Sequence, residues 1–136
     1  MDTNKNLYTI IYATVLVVLV AVILALASYL LKDRQQRNVS IETKQMILKA
    51  VHLAQDPEKL KKNKDNYIES EYAKYIKDTI ITTGSKTLPL FICNIDSSRY
   101  YIVPLHGTGL WGPIWGYISL KSDFNTVYGA VFDHKG

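Results

Sequence analysis

Between Leu7 and Leu31 the chain reads LYTIIYATVLVVLVAVILALASYLL, about 25 residues without a charge, and this run constrains everything that follows it. At about 1.5 Å per residue, a helix of that length crosses a hydrocarbon core with some tilt, and only a helix satisfies its own backbone there. Tyr8, Tyr12 and Tyr29 lie towards the two ends, where amphipathic rings favour the headgroup region, and Lys5 and Lys32 bracket the run. A cleaved signal peptide competes with an anchor, because Ala25-Leu26-Ala27 before Ser28 has the small-x-small pattern of a cleavage site. Against cleavage, the run exceeds the roughly 7–15 residues of a signal core, and Lys5 is the one cation before it. An uncleaved transmembrane helix is therefore expected over residues 7–31, after an N-terminal flank of residues 1–6.

With the anchor set aside, the 136 residues leave room for one compact domain. Lys32, Arg34 and Arg37 follow the run, against Lys5 before it, so the positive-inside rule alone would put that domain in the cytoplasm. A formal charge of +4 is modest for a nucleic-acid binder. The basic run Lys59 to Lys64 has no interleaved aromatics, so it reads as a solvated helix face and no nucleic-acid partner is expected. The single cysteine, Cys93, has no partner for an internal disulfide and no Cys or His at a metal-ligand spacing. It reads as a strand residue, and no metal site is expected.

The remainder has an α+β pattern. Residues 32–87 are expected to be helical and extramembrane. Ile41, Leu48 and Val51 fall near one stripe of a helix that continues out of the membrane to Ala54, and Asp56-Pro57 breaks it. Glu58 to Ile81 carries a second stripe, Tyr67, Ile68, Tyr72, Tyr75 and Ile76, ended by the polar Thr82-Thr83-Gly84-Ser85. From residue 88 to 136 the period becomes that of strands: Leu88 to Ile95, Tyr100 to Leu105, Ile114 to Leu120 and a possible fourth at Thr126 to Phe132. Asp96-Ser97-Ser98 and Ser122-Asp123-Phe124-Asn125 read as turns of an antiparallel meander. The last run ends at Asp133-His134-Lys135-Gly136 with nothing after it to cover the sheet, so this part is expected to be the front of a larger domain.

Between two of the strands lies Pro104-Leu105-His106-Gly107-Thr108-Gly109-Leu110-Trp111-Gly112. Gly107 and Gly109 are expected to permit a tight backbone path beside a large aromatic, which would let a planar ligand approach the main chain. A Gly-x-Gly turn alone is a weak signal, and this one opens no phosphate-binding helix. His106 has no carboxylate and nucleophile beside it, so no catalytic residue is expected. Trp111 and Trp115 read as sheet-packing aromatics before they read as ligand walls.

In its full setting, YIVPLHGTGLWGPIWGYISLKSDFNTVYGAVFDHKG resembles the C subunit of the bacterial sodium-translocating NADH:quinone reductase. The pattern runs through Pro-x-His-Gly-x-Gly-Leu-Trp, an apolar strand, an Asn-Thr-Val turn and a strand leading to a glycine. The anchor and Asp33-Arg34-Gln35-Gln36-Arg37-Asn38 extend the resemblance over nearly the whole chain, with Lys59 to Lys86 least specific. The flavin-carrying G subunit of the related ferredoxin-NAD electron-transport complex shares the FMN-binding domain and ranks second.

The resemblance implies an electron-transfer subunit of NADH:quinone reductase, single-pass in the bacterial inner membrane, with its soluble part periplasmic and the other reductase subunits and membrane lipid as partners. It implies FMN attached through its phosphate to a threonine in a Ser/Thr-Gly-Ala-Thr motif, which this sequence does not contain. Thr82-Thr83-Gly84-Ser85 lacks the Ala-Thr ending. The Glu-Thr-Pro-Gly segment that the family places after the glycine matching Gly136 is also missing. Residues 88–136 are thus expected to be the N-terminal part of an FMN-binding domain, with His106, Gly107, Gly109, Leu110 and Trp111 shaping or adjoining the isoalloxazine pocket and Trp111 a possible stacking wall. A non-redox membrane-anchored assembly module is the alternative, and the isolated chain is expected to be inactive.

Overall fold

The computed structural model describes residues 6–134; Lys5, Lys135, Gly136 and most of the 1–6 flank lie outside them. The chain divides into two compact units, one through Val39 and one from Ser40 onward.

In the first unit the uncharged run is helical throughout, as part of α1 (Asn6–Ala50), which is long and apolar enough to cross a membrane. Its Leu, Val and Ile side chains are exposed on all sides, the pattern of a helix that needs an apolar surround. Within the run the Thr14 hydroxyl donates to the Ile10 carbonyl at 2.8 Å, so this polar group needs no external partner. Tyr8 and Tyr12 stack near its start, ring centroids 6.4 Å apart.

The second unit begins with the last turns of α1, where Ile41, Ile47, Leu48 and Ala50 are buried. The helix ends at Ala50, short of the Ala54 expected from the stripe and well before Pro57. Its stop is a backbone motif: Leu53 N–H bonds the Leu48 carbonyl at 2.9 Å and His52 N–H the Lys49 carbonyl at 3.0 Å, with His52 left-handed at φ 59°. A non-glycine residue in that conformation is costly. Here His52 Nε2 sits 3.2 Å from the Tyr128 carbonyl oxygen and the imidazole meets the Tyr128 ring edge-on at 5.1 Å, so tertiary contacts hold it.

Asp56 then caps α2 (Pro57–Tyr75), its carboxylate accepting from the Glu58 and Lys59 amides at 3.0 and 3.4 Å, with Pro57 in the first turn. The helix kinks at Asn63 (φ −155°) and buries Ile68. The helical expectation for residues 58–81 and 32–87 runs too far. Ile76–Thr83 is strand β1, because a β-branched run, Ile76-Lys77-Asp78-Thr79-Ile80-Ile81, pairs with the strand that follows. The Tyr72 hydroxyl donates to Asp78 at 2.5 Å, tying α2 to β1, and burial followed by the neighbouring carboxylate pushes its pKa up.

Strands β2 (Lys86–Ile95), β3 (Ser98–Thr108), β4 (Pro113–Lys121) and β5 (Val127–His134) complete a five-stranded antiparallel meander in the order β1-β2-β3-β4-β5. Two-residue turns make the first two hairpins, with Gly84 (φ 61°) and Asp96 (φ 51°) in the left-handed region that such turns require. On the inner face Ile76, Phe91, Cys93, Ile95, Tyr100, Ile102, Tyr117, Tyr128 and Val131 join the buried residues of α1 and α2 in one core. Burial pushes the Cys93 thiol up to about 11, consistent with an inert core side chain. The buried Ser119 hydroxyl lies 2.5 Å from the Ala50 carbonyl and 3.1 Å from that of Gly129, joining the end of α1 to the β4–β5 pair.

Pairing of β2 with β3 runs only from Ile95↔Ser98 to Phe91↔Ile102. Two residues further along, each strand carries a proline, Pro89 and Pro104, neither of which has an N–H to donate. The β1–β2 and β3–β4 hairpins are thus paired at one end of the sheet, and the HGT segment belongs to the other end.

Candidate functional site

Strand β3 continues through His106, Gly107 and Thr108, so most of the expected loop is strand, paired His106↔Trp115, Gly107↔Ile114 and Thr108↔Pro113. The remaining turn is short, closed by Gly109 N–H on the Gly112 carbonyl at 2.8 Å. Gly107 does not supply the tight path expected of it: a side chain there would meet nothing within 4 Å. The glycine the turn requires is Gly112, at φ 148°; at Gly109 an added Cβ would come within 2.5 Å of Ile114 Cδ1, so the Ile114 side chain would have to shift.

A recess of about 230 Å³ opens beside this turn, lined by Leu105, His106, Gly107, Thr108, Ile114, Trp115 and Phe132. His106 and Gly107 line it; Gly109, Leu110 and Trp111 do not. Leu110 and Trp111 point into solvent, 90% and 88% exposed, so neither packs on the sheet nor walls the recess. Trp115 is the half-buried tryptophan that borders it, with Ile114 and Phe132. Strand alternation places Leu105, Gly107, Ile114 and Phe132 on the outer face, opposite the helices, with the open space over Gly107 between larger side chains. Phe132 lies against Gly116, where an added Cβ would come within 2.5 Å of its ring.

The recess suits the edge of a planar aromatic group. It is smaller than the roughly 300–1,000 Å³ of enclosed cofactor sites, and its lining contains no lysine or arginine for a phosphate.

β5, which supplies Phe132, is set by the preceding turn. Asp123 accepts from the Asn125 and Thr126 amides at 3.0 and 2.9 Å and from the Thr126 hydroxyl at 2.5 Å, and Lys121 N–H closes on the Thr126 carbonyl at 2.9 Å. These hydrogen bonds, the Thr126 hydroxyl first, lower the carboxyl from 3.8 to about 2. Because the folded value is depressed, the turn's stabilisation is complete above pH 4 and is lost as pH falls through about 2. The Thr126 amide resonance should therefore titrate with a midpoint near 2 and stay flat in Asp123→Asn; a midpoint at the ordinary carboxylate value would show that these bonds do not form in solution.

No family model matches the chain. It is similar to the C subunit of the Na⁺-translocating NADH-quinone reductase of Chlamydia muridarum, 49% identical over 35 residues, which are 26% of this chain and 11% of that protein. The C subunit of Vibrio parahaemolyticus is 30% identical over 60 residues, 44% of this chain and 23% of that one. The crystal structure of the C subunit from Parabacteroides distasonis matches at TM-score 0.65 and 32% identity, covering 78% of this chain and 59% of that chain. The aligned stretches thus span less than a quarter of these curated relatives' length, and the structural match under two thirds of the solved chain. The long apolar helix, the second helix and the antiparallel sheet agree in part with that structure, and the chain is a partial homologue of the C subunit of the Na⁺-translocating NADH-quinone reductase.

Proposed function

We propose that the chain serves as the N-terminal part of an electron-transfer subunit in a membrane Na⁺-translocating NADH:quinone reductase. Residues 7–31 anchor it as a single span and the segment from Ser40 onward sits in the periplasm, as the resemblance implies. The observation that supports this reading most is the structural similarity to the C subunit across more than three quarters of the chain. FMN, when bound, supplies one-electron chemistry between carriers. Of the residues present, His106, Gly107, Ile114, Trp115 and Phe132 would contact its ring system, and the covalent attachment would lie outside this chain. Gly109, Leu110 and Trp111 remain proposed as neighbours of the site through the turn they form. The other reductase subunits are the proposed partners.

Affinity purification of the tagged chain from its own host in mild detergent tests the assignment. Recovery with the other reductase subunits is expected, and their absence would overturn it. The small recess favours a second reading, a non-redox anchored module that supports assembly. The purified chain titrated with FMN should leave free-flavin fluorescence almost unchanged at micromolar concentrations, because the recess encloses too little of the ligand. Tight, saturable quenching lost in Trp115→Ala but kept in Trp111→Ala would show that this sheet already forms the complete site.

A further inference from the structure

The two ends of the sheet differ in chemistry. From Tyr100 to Leu120 there is no Asp, Glu, Lys or Arg, so β3 and β4 reach the HGT turn uncharged. At the opposite end, where β2 turns into β3 and β4 into β5, a second recess of about 320 Å³ is lined by Ser97, Ser98, Arg99, Tyr100, Lys121 and Ser122. Arg99 lies opposite Asn94 and Lys121 opposite Tyr100. Strand alternation sends the two cations off opposite faces, so they flank the recess from two sides.

Both cations are positioned by the fold. Arg99 Nε donates to Asn94 Oδ1 at 3.3 Å, which steadies the guanidinium and leaves its two terminal amino groups available. The Lys121 backbone is fixed on both sides, its N–H on the Thr126 carbonyl at 2.9 Å and its carbonyl accepting from the Phe124 amide at 3.0 Å. Tyr100 makes a rigid wall, its ring stacked on that of Tyr128 with centroids 4.3 Å apart. Neither cation forms an ion pair among the described residues. Two carboxylates lie nearby, and neither lines the recess. Asp123 acts on Lys121 through space while its oxygens accept from Asn125 and Thr126, and Asp96 acts on Lys74.

We propose that this recess binds a phosphate-class oxyanion, carried by a phospholipid headgroup or by a soluble phosphate. Exposed serines and lysines are ordinarily just solvated; here three hydroxyls from two turns converge with a guanidinium and an ammonium and with no acid in the lining. Donors arriving from several directions suit a tetrahedral oxyanion over chloride, and the free edge of Arg99 can grip two of its oxygens. Between Tyr100 and His106 β3 rises about 20 Å, so this site is separate from the recess at the HGT turn and stands whether or not the redox reading holds.

The test is a titration of the ¹⁵N-labelled 136-residue chain in non-ionic detergent with inorganic phosphate replacing chloride at constant ionic strength. The amide resonances of Ser97, Ser98 and Ser122 should shift saturably, with a midpoint on the order of 1 mM. Arg99→Gln with Lys121→Gln should weaken binding at least about tenfold with an unchanged thermal transition, since both side chains are exposed. Lys86→Gln, which removes one charge at the other end of the sheet, should bind as the parent does. Phosphatidylcholine nanodiscs with and without one quarter phosphatidylglycerol, in phosphate-free buffer, separate the sources. The same resonances moving with phosphatidylglycerol identify a headgroup, and resonances that move only with inorganic phosphate identify a soluble ligand. No saturable shift with either probe would overturn the proposal, as would a shift that chloride reproduces or one that the double variant retains.

Discussion

Gly129→Val should abolish the folded form of the segment from Ser40 onward. An added Cβ at this position would overlap the Ala50 carbonyl oxygen and lie 3.0 Å from His52 Nε2, and neither can yield freely. The Ala50 carbonyl belongs to the last turn of α1, and the Ser119 hydroxyl bonds it from below at 2.5 Å. His52 is held in its left-handed conformation by Tyr128, next to Gly129. A branched side chain would lift the helix end from the β4–β5 pair. Overpacking costs about 1–3 kcal/mol, and leaving the buried Ser119 and Ala50 groups unpaired costs about 1–3 kcal/mol more. Together these approach the stability of a small domain, about 5 kcal/mol at the low end. Ser119→Ala removes the hydrogen bond without the clash and should cost only about 1–2 kcal/mol. Urea denaturation followed by far-UV circular dichroism in detergent measures both; Gly129→Val within about 1 kcal/mol of the parent would show that α1 does not end against the sheet as described.

The same junction explains what could be read from sequence and what could not. The uncharged run and the four strand runs from residue 88 carry their periodicity in local composition, and the structure places helix and strands there. The end of α1 has no local signal: there is no glycine at His52 or Ala54, yet both adopt positive φ, and His52 is held there by a contact 76 residues away in sequence. β1 is hidden by its leading residue, since Ile76 continues the helical stripe that begins at Tyr67, while the β-branched content of Ile76–Thr83 is the available clue. Of the HGTGLWG motif, His106, Gly107 and Thr108 line the recess. Leu110 and Trp111 are conspicuous in the sequence and point outward. Ile114, Trp115 and Phe132 reach the recess through strand pairing, Gly107↔Ile114, His106↔Trp115 and Gly116↔Phe132, which only the register reveals.

Substituting arginine for both Val18 and Val22 should release the chain from the membrane. The two positions are one helical turn apart near the middle of the uncharged run, so their charges fall at the bilayer centre on one face. Each arginine there costs about 2.5–3.5 kcal/mol for insertion, and two disfavour the span by about 6 kcal/mol, a factor on the order of 10⁴. That cost already includes the relief that snorkelling and local bilayer thinning provide. Thr14→Val serves as the control: it removes a hydroxyl already bonded to the Ile10 carbonyl and should leave membrane attachment unchanged. Alkaline carbonate extraction distinguishes the outcomes. The parent and Thr14→Val should stay in the pellet, and the double-arginine variant should move to the supernatant or be degraded. A double-arginine variant retained in the pellet as fully as the parent would refute the single-span anchor. A parent recovered in the supernatant with Ser28 as its first residue would show instead that the run is removed as a signal sequence after Ala25-Leu26-Ala27.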